Sequence, residues 1–249
     1  MKVALLVPCF IDQLFPDVAL ATMEVLKRQG IDVRFPESQI CCGQVALNIG
    51  GTEEARDLAM RTAKTFDDFE YVVAPSASCV ATIRTQYPAL LPNDPEISRL
   101  SEHTYELCEF LVDVVGMTRA RGSFRHRVGI HIGCHGLRAL GLASTSERPH
   151  DGPNKVRLLL ESLDGVEIVE TERADECCGF GGVFSYGEEA VSAAMGRDRV
   201  DAHETAGVDV IASTDASCLM HLDGLIRREG HRLRTMHVAQ ILAGRAVKE

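Results

Sequence analysis

The sequence predicts an α/β protein built as two tandem, pseudo-symmetric repeats, each a mainly parallel sheet flanked by helices. Three observations predict it. Short, continuously apolar, β-branched runs recur at Val3–Val7, Tyr71–Ala74, Val128–Ile132 and Val208–Ala212, as strands covered on both faces require. Helical segments alternate with these runs, the pattern of α/β units. The same blocks then return in the same order in the second half, which marks a repeated unit.

In chain order, Val3–Val7 leads into Cys9, and Asp32–Phe35 is a further strand ahead of Ile40-Cys41-Cys42-Gly43-Gln44. Thr52 is expected to cap a helix, with Glu53 and Glu54 in its first turn. Ala55, Leu58, Ala59, Ala63 and Phe66 form its apolar stripe. Tyr71–Ala74 runs into Ser76 and Cys79. His103 is expected to serve the start of a helix carrying Tyr105, Leu107, Cys108, Leu111, Val112 and Val115 on one stripe. The polar, basic stretch Gly116–Arg127 lacks an apolar period and separates a first repeat, 1–118, from a second, 126–249. There Val128–Ile132 leads into Cys134, and Val166–Val169 precedes Glu176-Cys177-Cys178-Gly179-Phe180. Glu188 and Glu189 open a helix carrying Val191, Ala194 and Met195. Val208–Ala212 runs into Asp215 and Cys218, and His237 starts the last helix. The offset between matched blocks grows along the chain, as loop insertions produce.

Composition narrows the function. The chain has 249 residues, 45% hydrophobic and 25% charged, ordinary for a soluble globular protein. A net charge of −10 argues against a nucleic-acid partner. No apolar run approaches the roughly 20 residues of a transmembrane segment. The opening run is stopped by Pro8, too soon for a secretory signal. The expected location is therefore cytoplasmic. In that reducing compartment, nine cysteines point to metal or redox chemistry rather than disulfides.

Eight of those cysteines fall into the repeat. Cys9, Cys79, Cys134 and Cys218 each follow a predicted strand, and α/β folds build sites at the carboxyl ends of parallel strands. The Cys-Cys pairs lie in glycine-containing loops. Each half thus offers four thiols: Cys9, Cys41, Cys42 and Cys79, then Cys134, Cys177, Cys178 and Cys218. Four thiolates are the ligand set of an iron–sulfur cluster and also of structural zinc. Gly43 and Gly179 permit the sharp turn that aims two adjacent sulfurs at one centre. Gly181 and Gly182 extend that loop, with N–H groups able to face cluster sulfides. His131 is expected inside the sheet as a hydrogen-bonded core residue. His135 and His221 are placed to tune a cluster or relay protons. Cys108 reads as core packing, and the paired glutamates as solvated helix starts. No Gly-x-Gly-x-x-Gly follows the first strand, so hydride chemistry is expected to belong to a partner, or the clusters themselves to touch substrate.

The duplicated Cys-Cys-Gly blocks, each between two strand-end cysteines, resemble the cysteine-rich CCG domain family. The resemblance covers nearly the whole chain and is strongest to stand-alone two-repeat members, because no ferredoxin-type Cys-x-x-Cys-x-x-Cys segment is present. It implies one or two iron–sulfur clusters of the [4Fe-4S] type. It also implies electron transfer during oxidation of L-lactate, a 2-hydroxy acid, to pyruvate. The implied partners are a ferredoxin-like iron–sulfur protein and a third small protein, through which the chain could sit at a membrane. One departure matters. The family's five-cysteine form ends in Cys-x-x-Cys, and here Ser76 and Asp215 stand at the first of those positions. That form resembles disulfide-cleaving proteins with a non-cubane cluster, so a heterodisulfide-reductase-like subunit is the alternative. A zinc-stabilised scaffold is another, with zinc in the first site. Ser76 or Asp215 would supply an oxygen ligand or stand behind the sulfurs.

Overall fold

A computed structural model describes residues 1–149 and 152–247. The last two residues of the expected second repeat lie outside that range. Eight strands are described: β1 (Lys2–Leu5), β2 (Asp32–Arg34), β3 (Tyr71–Ala74), β4 (Thr104–Glu106), β5 (Arg127–His131), β6 (Glu167–Val169), β7 (Val210–Ser213) and β8 (Arg234–His237). They form two four-stranded sheets, ordered β2-β1-β3-β4 and β6-β5-β7-β8, and neighbouring strands in both are parallel. The registers coincide. Val3 pairs with Val33 and Tyr71, and Val128 with Ile168 and Val210. His131 is therefore the counterpart of Leu6. In each sheet the chain moves outward from the first strand to one side and returns on the other. The crevice this creates at the strands' carboxyl ends is where such sheets bind ligands.

β4 and β8 escaped the apolar-run criterion because they are short edge strands, Thr-Tyr-Glu and Arg-Thr-Met-His. Tyr105 accordingly lies on a strand and not on the helical stripe of Cys108. His103 does not start a helix either. It ends the Pro95–His103 helix, its ring 5.9 Å from that of Tyr71. The residue matching His237 is Glu106, and both build a capping box. Glu106 Oε2 accepts from the N–H groups of Cys108 (2.6 Å) and Glu109 (3.2 Å). His237 Nδ1 accepts from Ala239 N–H (3.1 Å), while the Gln240 side chain returns to His237 N–H (3.1 Å). Thr52 is the first residue of its helix, capped by Gly51.

The two central helices reveal how the repeats diverge. Thr52–Phe66 buries Ala55, Ala59, Thr62, Ala63 and Phe66. Glu189–Thr205 buries the same positions in the same spacing, filled by Ser192, Gly196, Arg199, Val200 and His203. The expected stripe of Val191 and Ala194 faces solvent, because the side toward the sheet is largely polar.

One hydrophobic core runs through both halves. The Val238–Ala243 helix of the second half packs on Pro16–Arg28 of the first, and Lys155–Glu161 packs on Leu107–Glu109 in the reciprocal way. Gln240 Nε2 donates to Asp17 Oδ2 (2.8 Å), and Lys155 pairs with Asp113 (2.5 Å). No described helix is long and apolar enough to cross a membrane.

His237 ties the halves together. It is buried, and Nε2 donates to the carbonyl of Pro75 at 3.0 Å, in the loop carrying Ser76. Burial pulls its pKa from 6.5 down to about 4. The unfolded chain then takes up this proton first as pH falls, so the contribution is present above pH 6.5 and lost towards pH 4. His237→Ala removes a cap and orphans a carbonyl, and is expected to cost about 2 kcal/mol in chemical denaturation of the metal-free protein. His237→Asn, which can still cap, should lose less and show a shallower fall in stability over that pH window.

Candidate metal centre

All eight cysteines of the two sets line one cavity of about 420 Å³ at the carboxyl ends of β1, β3, β5 and β7. Two separate sites, one per sheet, were the expectation. The pseudo-symmetric packing instead turns both sets toward a shared space. In the first set Cys9 Sγ lies 3.8 Å from Cys41 Sγ, and Cys42 Sγ 3.4 Å from Cys79 Sγ. Cys41 and Cys42 also interact, so the order of contact is Cys9, Cys41, Cys42, Cys79. The second set repeats it as Cys134, Cys177, Cys178, Cys218. All nine cysteines are free thiols, and Cys108 is buried core.

The turn that brings adjacent sulfurs together is made by Gly43 (φ 80°) and Gly179 (φ 88°), both left-handed. Gly43 N–H points at Cys41 Sγ (3.4 Å) and Gly179 N–H at Cys177 Sγ (3.3 Å). Gly179 is also packed tightly, since a Cβ there would stand 2.4 Å from the Ser192 carbonyl. Gly181 and Gly182 continue with positive φ and line the cavity. In the first half, Val45 and Ala46 at those places belong to the short helix Gln44–Asn48.

One thiol in each set stands out electrostatically. Cys41 is pulled down to about 2, because it accepts from the Cys42 and Cys9 thiols and from Gly43 N–H. Cys177 is pulled down to about 2 by Cys134, Cys178 and Gly179 N–H in the same way. Their neighbours pay with the reverse shift. Cys9, Cys42, Cys134 and Cys178 are pushed up, first by donating to those thiolates and then by burial. This donor chemistry fits a metal. Thiolates bound tetrahedrally to one ion at roughly 2.3 Å stand about 3.8 Å apart, close to the separations seen; the ligands of a four-iron cluster each sit on their own iron, so such a cluster would spread each set. Soft sulfur sets are those of iron–sulfur clusters and zinc.

Ser76 and Asp215 meet each other across the halves. Asp215 is buried, and its Oδ1 accepts from Ser76 Oγ (3.0 Å), Ser78 Oγ (2.8 Å) and Ser78 N–H (3.1 Å). Burial raises its pKa against those bonds. The two places where the five-cysteine form has sulfur are thus joined by a hydrogen bond. His135 is exposed on the cavity wall, with Nε2 3.2 Å from Gln44 Nε2 of the other half. His221 is not among the cavity-lining residues and donates to the Ser192 carbonyl at 3.2 Å.

His131 corrects an expectation. It is fully buried, as a core residue should be, but neither ring nitrogen has a hydrogen-bond partner among the described residues. One ring nitrogen lies within 4.8 Å of both Cys178 Sγ and Cys218 Sγ. Further residues went unnoticed in the sequence. Phe10 and Phe180 meet edge to face across the cavity, centroids 5.7 Å apart. Both neighbour motif residues, so their positions signalled them. Tyr87, whose hydroxyl donates to the Cys42 carbonyl (2.9 Å), lies far from any motif and gave no signal.

Comparison with known proteins agrees with this arrangement. The cysteine-rich domain, CCG, matches residues 3–84 and 128–223. The chain belongs to the cysteine-rich CCG domain family. Lactate utilization protein A of Geobacillus kaustophilus is 39% identical over 249 residues, covering 98% of this chain and all of that protein. The protein of the same name from Bacillus cytotoxicus is 37% identical over 250 residues, covering 99% and 100%. Among solved structures, a hypothetical protein from Helicobacter pylori shares the fold, with a TM-score of 0.64 at 11% identity. It matches 97% of this chain, which spans about half of that one.

Two outcomes follow for this CCG centre. Gly179→Ala meets both a forbidden φ and a backbone clash, whereas at Gly43 the added Cβ would find ordinary contact with Leu58 at 3.4 Å. Gly43→Ala should cost about 1–2 kcal/mol for its left-handed φ alone, and Gly179→Ala clearly more, with loss of metal from the second set by elemental analysis. Because Cys9, Cys42, Cys134 and Cys178 are pushed up while the ligand form is thiolate, metal binding must expel protons. Zinc titration of the metal-free protein in two buffers should show proton release, with affinity falling as pH falls.

Proposed function

We propose that this CCG protein is the iron–sulfur electron-transfer component of a cytoplasmic L-lactate-oxidising system that yields pyruvate. Cys134, Cys177, Cys178 and Cys218 would hold one cluster of the [4Fe-4S] type, and Cys9, Cys41, Cys42 and Cys79 a second. The observation that carries the reading is the pair of matched four-sulfur sets facing one cavity. The relatives named for lactate utilization, matched end to end, support the substrate.

When bound, such clusters store and release single electrons. The chain's own residues would do the rest. Eight cysteines bind, the left-handed glycines orient the sulfurs, and Phe10 and Phe180 shield the cavity. Gly43 and Gly179 N–H groups stabilise charge on sulfur. Partners would dock at the cavity rim, where the lining residues Val45 and Val183 are exposed. A ferredoxin-like iron–sulfur protein and a third small protein are the proposed partners. Ser76 and Asp215 are spent on one another, which weighs against a disulfide-cleaving fifth ligand.

Anaerobic purification should give a brown protein with iron and acid-labile sulfide. Cys178→Ser and Cys42→Ser should each remove iron from one set only. Zinc without iron or sulfide, even after cluster reconstitution, would replace this reading with a zinc-stabilised scaffold.

A further inference from the structure

The two sets have the same sulfurs but different surroundings. Behind the second set, His131, Arg199 and His203 occupy the buried positions held by Leu6, Thr62 and Phe66 in the first half. All three are fully buried. Arg199 Nη1 donates to the carbonyls of Glu172 (3.0 Å) and Arg173 (2.7 Å), and Nη2 to Thr171 Oγ1 (3.3 Å) and His203 Nε2 (3.4 Å). Among the described residues no carboxylate forms an ion pair with it. Glu176 and Asp175 favour its charge without bonding to it, ahead of Cys178, but both are only half-buried. Arg199 interacts electrostatically with both Cys178 and His131. Room for His203 comes from Gly129, where a Cβ would stand 2.3 Å from His203 Nδ1.

Loop anchoring alone does not require this charge. In the first half, the loop before Cys41 is held by a neutral amide. Gln39 Nε2 donates to the carbonyls of Leu5 (3.3 Å) and Pro36 (3.1 Å), and Oε1 accepts from Val7 N–H (2.7 Å). The second half uses a guanidinium and adds an imidazole whose nitrogens are both unpartnered, one of them within 4.8 Å of Cys178 Sγ and Cys218 Sγ. A buried cation stabilises thiolates and any additional negative charge on a centre they hold. A nitrogen donor toward the sulfurs acts in the same direction, whether it bonds to sulfur or to metal. Asp215 opposes both, but it touches residues of both halves and so weighs on both centres.

We propose that Arg199 and His131, with His203 behind them, make the second centre the stronger metal site and the one of higher reduction potential. Electrons entering at Cys9, Cys41, Cys42 and Cys79 would then run toward Cys134, Cys177, Cys178 and Cys218. The direction of flow rests on the iron–sulfur reading above, whereas the difference in metal affinity does not.

The affinity test uses cobalt(II), whose thiolate charge-transfer bands report each set, with Cys42→Ser and Cys178→Ser isolating one set at a time. The second set should bind cobalt at least tenfold more tightly. His131→Leu, which installs the first half's residue, and Arg199→Gln should each remove most of that advantage. Arg199→Lys, which keeps the charge, should retain it. Anaerobic redox titration followed by electron paramagnetic resonance is the second readout. It should place the signal lost in Cys178→Ser at the higher potential. His131→Leu should lower that signal by at least tenfold in the reduction equilibrium, about 59 mV for one electron, and leave the other unchanged. Equal cobalt affinities, or Arg199→Lys behaving like Arg199→Gln, would overturn the assignment. A protein without iron that still shows the affinity difference would sink the electron-transfer reading alone.

Discussion

Adjacent cysteines in an extended chain point to opposite faces, so both sulfurs of a Cys-Cys pair reach one centre only where the backbone reverses. Everything about the cavity depends on that reversal at Gly43 and Gly179. Left-handed φ there turns the second sulfur inward and aims the glycine N–H back at the first. The strand-end cysteines need no such device. The order β2-β1-β3-β4 sets the ends of β1 and β3 side by side, and Cys9 and Cys79 follow them directly. A parallel sheet supplies two sulfurs by topology and a glycine turn supplies two by local conformation. Neither alone assembles four.

Duplication then does more than provide a second set. Each half's last helix packs on the other half, so the two sheets present their carboxyl ends to a common cavity. The contacts around it mostly run between halves: Phe10 with Phe180, Gln44 with His135, Ser76 and Ser78 with Asp215, and His237 with Pro75. Such contacts hold the sets at a fixed separation. On the proposed electron-transfer reading, two centres that exchange electrons would need that rigidity more than either would need its own pocket.

How much of this is legible in the sequence depends on which force sets each feature. Strands buried on both faces write themselves as apolar runs, and β1, β3, β5 and β7 are readable to within two residues at each end. The edge strands β4 and β8 are half-covered and polar, so no period betrays them. Their capping boxes at Glu106 and His237 use different residue types for one job, which hid the equivalence. The eight cysteines were readable because few residue types substitute for a thiol in metal binding. That both sets share one cavity was not readable, since it follows from helix packing between residues more than 200 positions apart, as in Arg28 bonded to the Ala243 carbonyl.

His131, Arg199 and His203 show the limit most clearly. His131 reads as a core residue in sequence but not as one beside the sulfurs, whereas Arg199 and His203 look polar enough to be surface. Only their burial, and the apolar residues at matched places in the first half, mark them. Burying a guanidinium without a carboxylate is unfavourable by several kcal/mol, of which hydrogen bonds to carbonyls return a part. The first half shows that the same fold stands with Leu6, Thr62 and Phe66 in those positions. The charge is therefore not required by the architecture, and what offsets it must lie beside it. Inside the second half the groups that favour its charge are Glu176, Asp175 and the Cys178 sulfur, in that order, and of these only the sulfur is buried with it.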